Sequence, residues 1–167
     1  MIAFNKLFLI LFVASLQQVT TADRCPSSWI SWGHHCYRFE LDKMASWKDA
    51  EAKCCALGSD GRDSHLASIH SKEEQNFIYE VYRLAVRTDI KDAWLPLLWI
   101  GLEVGNTQAK LSWTDDSCVN YLNWYPGEPN NDPNTGVEIS DGIGKNGGWA
   151  DAPDPNRQNH YVCKMPQ

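Results

Sequence analysis

The chain has 167 residues and a net charge of −6. That balance argues against nucleic acid and anionic membrane as partners, since both recruit basic patches. Beyond a short apolar start, what remains is the size of one ordinary domain of about 100–150 residues, so a single core is expected.

The first 22 residues read as a secretory signal, with Lys6 in a short basic start, an apolar run from Leu7 to Val13, and small residues Thr20 and Ala22 before a cut at Asp23. The run is too short to cross a bilayer as a helix. The mature protein, residues 23–167, is therefore expected to be secreted, with no membrane insertion. In a secreted chain, six cysteines form a disulfide framework whose pairing counting alone does not fix.

Residues Pro26 to Phe39 alternate around Gly33 as a hairpin does. Ser46 is positioned to cap a helix in which Trp47, Ala50, Glu51 and Cys54 recur at helical spacing up to Leu57, where Gly58 stops the run. A polar turn, Ser59 to Ser64, leads into a short strand at Leu66-Ala67-Ser68-Ile69. Ser71 with Glu74 three residues on is a capping box, opening a second helix whose Phe77, Ile78, Val81, Tyr82 and Ala85 share one face. Trp99-Ile100-Gly101-Leu102 reads as a buried strand, and beyond Asn106 strand fragments alternate with long polar loops. Within Val137-Glu138-Ile139, Glu138 is expected to face solvent. Tyr161-Val162-Cys163 closes the domain as a strand. None of the five histidines has a helical partner four residues away, and no Cys or Asp is spaced with them for zinc. Solvated or capping roles are expected for them.

The chemistry concentrates between Glu128 and Asp151. Tyr125-Pro126-Gly127-Glu128-Pro129-Asn130-Asn131-Asp132-Pro133-Asn134 sets carboxylates and amides in a run that prolines and glycine keep out of helix and central strand, and Trp149-Ala150-Asp151 follows. Oxygen donors on a shaped loop suit a hard cation such as Ca2+, which takes six to eight of them, and a loop giving four or five leaves positions for the hydroxyls of a bound carbohydrate. Eight tryptophans exceed what a small core needs, so some are expected to stack outside it, as indoles do on the apolar face of a sugar.

Glu128-Pro129-Asn130 with Trp149-x-Asp151 resembles the calcium and sugar site of C-type lectins. Trp47-x-x-Ala50-Glu51-x-x-Cys54, Leu66-Ala67-Ser68-Ile69-His70-Ser71, Trp99-Ile100-Gly101-Leu102, Trp113-Thr114-Asp115, Asn123-Trp124 and Tyr161-Val162-Cys163 agree in order, from Cys25 to the C-terminus. The resemblance implies an α+β fold: two helices packed on small antiparallel sheets, a long loop-rich binding lobe, and disulfide staples Cys25–Cys36 and Cys54–Cys163. The family's lobe disulfide would join positions 136 and 154, which are Gly136 and Asp154 here. Its joint absence leaves the lobe to calcium and packing. Cys55 and Cys118 remain; either they pair with each other or they join two chains into a disulfide-linked homo-oligomer.

By the same resemblance, Glu128, Asn130, Asn134 and Asp151 would hold the ion, and Glu128, Asn130 and Asp151 would also meet the sugar, with Pro129 in a cis peptide bond. Asn134 replaces the family's Glu and Ala150 its Asn, so the set carries two formal negative charges and weaker calcium binding is implied. Glu-Pro-Asn usually accompanies mannose-type sugars. The overall resemblance leans toward soluble lectins of marine invertebrates such as sea cucumbers, some of which bind galactose with the same motif. Trp94, before Leu95-Pro96, is placed to stack on galactose or else to pack on the second helix. The expected function is calcium-dependent, multivalent recognition of glycans on glycoproteins or on microbial and cell surfaces. The alternative is a lectin-like protein that binds a protein partner or mineral surface without sugar. An enzyme is not expected, because a calcium-neutralised Glu128 and Asp151 make a poor general-acid pair and no nucleophile has a neighbouring base.

Overall fold

The computed structural model describes residues 25–86, 97–105, 110–130, 135–140, 147–152, 154 and 156–167. The expected signal, residues 1–22, lies outside them. In chain order the elements are β1 (Ile30–Trp32), β2 (His35–Ala45), α1 (Trp47–Cys55), β3 (His65–Leu66), α2 (Lys72–Ala85), β4 (Leu98–Val104), β5 (Leu111–Trp113), β6 (Thr135–Ser140), β7 (Gly148–Asp151) and β8 (Asn159–Pro166). The strands join in one path, β1-β2-β8-β4-β6-β7, with β3 added to β8 and β5 to β4. All pairings are antiparallel except β4 with β8, where Leu98 faces His160 and Trp99 faces Tyr161. That parallel contact merges the small antiparallel sheets of the sequence reading into one mixed sheet.

Both helices begin where their caps stand. Ser46 accepts a hydrogen bond from Asp49 N, and Ser71 accepts one from Glu74 N, so each serine satisfies a donor that the first turn would leave open. The central strands are buried on both faces, which is why Leu98 to Leu102 is a continuous apolar run with little alternation. Successive residues nonetheless go to opposite sides. Leu98, Ile100 and Leu102 join Tyr37, Ile78, Tyr82 and Val162 on the α2 side, whereas Trp99 joins Trp47, Ala50, Cys54, Tyr161 and Cys163 on the α1 side. Both indoles on the α1 side find partners: Trp47 Nε1 donates to Ile100 O at 2.8 Å and Trp99 Nε1 to Ala45 O at 2.9 Å.

The expected α2 face is partly corrected. Ile78 and Tyr82 are buried, but Ala85 is exposed, and Glu74 and Gln75 take buried positions instead. Polar residues occupy this face because each has a fixed partner. Glu74 Oε1 accepts from Lys164 Nζ at 2.7 Å and from Tyr37 Oη at 2.6 Å, while its Oε2 accepts from His70 N at 2.8 Å. Burial alone would push the Glu74 carboxyl up, but the Lys164 ammonium and these hydrogen bonds hold it below its ordinary value of 4.5.

The disulfides are Cys25–Cys36 and Cys54–Cys163, with Cα atoms 5.5 and 5.4 Å apart. The second spans 109 residues and ties α1 to β8. Constraining so long a loop in the unfolded chain contributes on the order of 4–5 kcal/mol. Cys55 and Cys118 are both exposed free thiols and are not bonded to each other.

At Gly136, a Cβ would overlap the Trp47 indole, which packs against the glycine. The position that the resemblance aligns with a lobe cysteine thus packs against an aromatic ring of α1. Gly136→Ala is expected to cost about 1–3 kcal/mol in urea unfolding through overpacking, and an unchanged midpoint would refute the packing role. Glu74→Gln is expected to cost about 3 kcal/mol at neutral pH by stranding the buried Lys164 charge. Because the folded carboxyl titrates below its unfolded value, this stabilisation is whole above about pH 4.5 and is lost as pH falls through the lower folded value, which acid unfolding of both proteins will display.

Candidate functional site

The loop that carries the acidic run is built onto β7. Trp149 N donates to Asn123 O at 2.8 Å, and Tyr125 N donates to Trp149 O at 2.9 Å, so residues 123–125 run beside the outer edge of β7. The next four residues, Tyr125-Pro126-Gly127-Glu128, close a turn in which Glu128 N donates to Tyr125 O at 2.9 Å. Proline at the second place and Gly127 at φ 95° in the third are what a type II turn demands. The Glu128–Pro129 bond that follows is cis, in line with the resemblance.

The chain then returns to β7. Asn130 N donates to Asp151 Oδ1 at 2.9 Å, and Asn130 Nδ2 lies 3.4 Å from Glu128 Oε1. Three of the four expected ion ligands, Glu128, Asn130 and Asp151, thus meet at one place. Asp151 is buried at the end of β7, opposite Val137 of β6, while Asn130 is exposed and Glu128 half-buried at the rim. Asn134, Asp132 and Trp94 lie outside the described residues. The donor set of carboxylate and amide oxygens suits calcium, which favours such oxygens over nitrogen or sulfur.

Behind the rim, Trp149 is fully buried and meets three aromatic rings edge-on, Trp113, Tyr121 and Trp124, at centroid distances of 5.8, 5.8 and 6.0 Å. Its Nε1 donates to Gln75 Oε1 at 2.8 Å, and Gln75 Nε2 donates to Gly147 O at 3.0 Å. The expectation that surplus tryptophans stack outside the core is therefore corrected among the described residues: every described tryptophan is buried or half-buried. Trp32, for instance, stacks on Phe77 at 5.2 Å and 13°. The lobe needs these rings as its own internal packing.

Glu138 also departs from expectation. It does not face solvent but is 3% exposed, accepting from Arg157 Nη1 at 2.7 Å and from Asn159 Nδ2 at 2.8 Å. These contacts tie β6 to the segment entering β8, and strand alternation alone misses them because Arg157 lies in a loop. Ala152 N donates to Gly136 O at 3.1 Å, closing the same region. The histidines are more engaged than expected. His160 is buried with Nδ1 3.1 Å from Tyr82 Oη, and His65 Nδ1 lies 2.7 Å from Glu51 Oε1. Burial holds the His160 imidazole below its ordinary range, with Asp42 opposing the shift.

Residues 43–165 match the family model of the Lectin C-type domain. The chain belongs to the C-type lectin domain family. Echinoidin of Heliocidaris crassispina is 33% identical over 150 residues, covering 85% of this chain and 97% of that one. Among solved structures, CEL-IV superposes with a TM-score of 0.76 at 35% identity, covering 84% of this chain and 93% of its own. The C-type lectin CEL-I from Cucumaria echinata gives 0.70 at 30%, covering 86% and 98%. The family resemblance and the α+β fold are thereby established. The same architecture also serves a calcium-independent type II antifreeze protein, with a TM-score of 0.67 at 29% identity over 86% of this chain and 95% of that one. Among the described residues, no helix is long and apolar enough to cross a membrane.

Removing the Glu138 carboxylate in Glu138→Ala is expected to cost about 1–3 kcal/mol, chiefly by leaving the buried Asn159 amide without its acceptor, while Arg157, part-exposed, turns to solvent. Hydrogen exchange should then rise first in β6 and β7, and unchanged protection there would show that these contacts do not hold the lobe.

Proposed function

We propose that this domain binds carbohydrate through Ca2+, with Glu128, Asn130, Asn134 and Asp151 as protein ligands. The observation that carries the reading is the convergence of Glu128, Asn130 and Asp151 through the hydrogen bonds from Asn130 to Asp151 Oδ1 and Glu128 Oε1. When bound, the ion supplies positive charge and open coordination positions for a pair of sugar hydroxyls. Glu128 accepts a hydrogen bond from one hydroxyl, and the Asn130 amide donates to its neighbour. Family membership and the likeness to CEL-I support this reading. The recognised groups are the vicinal hydroxyls of terminal galactose-type or mannose-type sugars, with Trp94 stacking on the galactose face.

Residues 1–22 are a secretory signal and 23–167 the lectin domain, released to the extracellular space. One such site binds a monosaccharide near the millimolar end, about −4 kcal/mol, so useful avidity requires several sites on one assembly. A homo-oligomer linked through Cys55 or Cys118 would supply them, agglutinate cells and suit innate recognition of microbial surfaces. The reading as a protein or mineral binder draws on Ala150 and Asn134, which leave the donor set short of charge, and on the calcium-independent antifreeze relative.

A glycan array run with calcium and again with chelator separates the two. Binding is expected to vanish with chelator and to fall at least about a hundredfold in Glu128→Gln and Asp151→Asn, each of which removes ligand charge. Chelator-insensitive binding, or no glycan binding at all by a folded protein, would leave the protein- or mineral-binding alternative standing.

A further inference from the structure

On the α1 side, away from the Glu128 loop, three metal-binding side chains of different chemistry share one point. Glu51 and Cys55 lie four residues apart on one face of α1, and β3 brings His65 against them. Cys55 Sγ is 3.2 Å from Glu51 Oε1 and 3.7 Å from His65 Nδ1, and Glu51 Oε1 is 2.7 Å from His65 Nδ1. We propose that Glu51, Cys55 and His65 form a second cation site that takes a thiophilic divalent ion of the zinc class.

The donor separations carry the argument. Tetrahedral zinc with Zn–N and Zn–O near 2.0 Å and Zn–S near 2.3 Å places its donors about 3.3–3.6 Å apart. The two Cys55 distances, 3.2 and 3.7 Å, lie within about 0.1 Å of that range, and the 2.7 Å between Glu51 Oε1 and His65 Nδ1 must open by about 0.6 Å, a side-chain rotation, to admit the ion. Thiolate and imidazole together select zinc-like ions, whereas calcium and magnesium take oxygen donors. The two sites of the molecule therefore sort their ions by chemistry.

The arrangement is also held from behind. Glu51 Oε2 accepts from Leu66 N at 2.8 Å, which fixes the carboxylate and leaves Oε1 turned toward Cys55 and His65. Such outer contacts orient metal ligands. Beside Cys55, Cys54 is bonded to Cys163, and β3 pairs with β8 through His65 with Lys164 and Leu66 with Cys163. Helix and strand are thus clamped to the same stretch of β8, and the donors they carry keep their spacing. Cys55 is exposed, and His65 lines a cavity of about 440 Å³, so an ion has a way in. Three protein ligands leave a fourth position for water. With Cys55 committed to the ion, Cys118 is left as the cysteine available to link chains.

The test is zinc titration of the mature protein in saturating calcium, by equilibrium dialysis, on the wild type and on Cys55→Ser, His65→Gln and Cys118→Ser. The wild type and Cys118→Ser are expected to hold one zinc per chain, and the other two to bind it at least about tenfold more weakly while melting as the parent does. Cobalt in place of zinc should show a thiolate charge-transfer band that disappears with Cys55→Ser. Equal zinc binding in Cys55→Ser and the parent would overturn the proposal, as would recovery of Cys55 in a disulfide from protein purified with zinc. Glycan binding serves as a separate readout, so failure here is distinguishable from failure of the lectin reading.

Discussion

The binding lobe depends on the seating of Trp149. Its backbone receives the Tyr125 N–H and donates to Asn123, its indole reaches Gln75 of α2, and its ring is the hub on which Trp113, Tyr121 and Trp124 converge. Two residues later the same strand presents Asp151, which fixes the backbone of Asn130. One short buried strand therefore sets both ends of the loop that carries Glu128, through the Trp149 backbone at one end and the Asp151 carboxylate at the other. A loop of prolines and amides has little apolar surface of its own to bury, so its shape must be borrowed from a packed neighbour.

The buried polar groups follow a common logic. Glu74, Gln75, Glu138 and Lys164 all sit where apolar side chains would be the default, and each is held by several fixed donors or acceptors. Glu74 with Lys164 joins α2 to β8, and Glu138 with Arg157 and Asn159 joins β6 to the entry of β8. Burying charges is itself costly, and breaking such a contact by removing one partner costs more than the pair contributes when whole. These contacts occur where the fold joins segments distant in sequence, and together with Trp47 against Gly136 they hold the lobe that has no covalent link of its own.

Local signals in the sequence mark out much of this. Ser46 and Ser71 cap their helices, Gly127 and Pro126 shape their turn, and the buried run at Trp99 lies where its apolar pattern puts it. What escapes sequence reading depends on partners far along the chain. Glu138 looks solvent-facing until Arg157 and Asn159 are placed beside it, and Gln75 looks like a surface residue until Trp149 arrives 74 positions later. His65 likewise has no ligand spacing to Cys55 along the chain, because a polar turn and not a helix brings it back. Of the candidate site, the motif residues Glu128, Asn130 and Asp151 are legible as a group, while the surplus of tryptophans misleads because the described indoles are consumed internally.

The place of β7 at the end of the strand order has one more consequence. An unpaired outer strand offers its backbone to any other chain with a free edge. Here the bridge between Trp124 and Trp149 lays a loop along that margin. The opposite margin, β1, is only three residues long. Among the described residues, copies of the domain crowded side by side thus find neither end of the strand path offered as a long bare template for zipping into fibres.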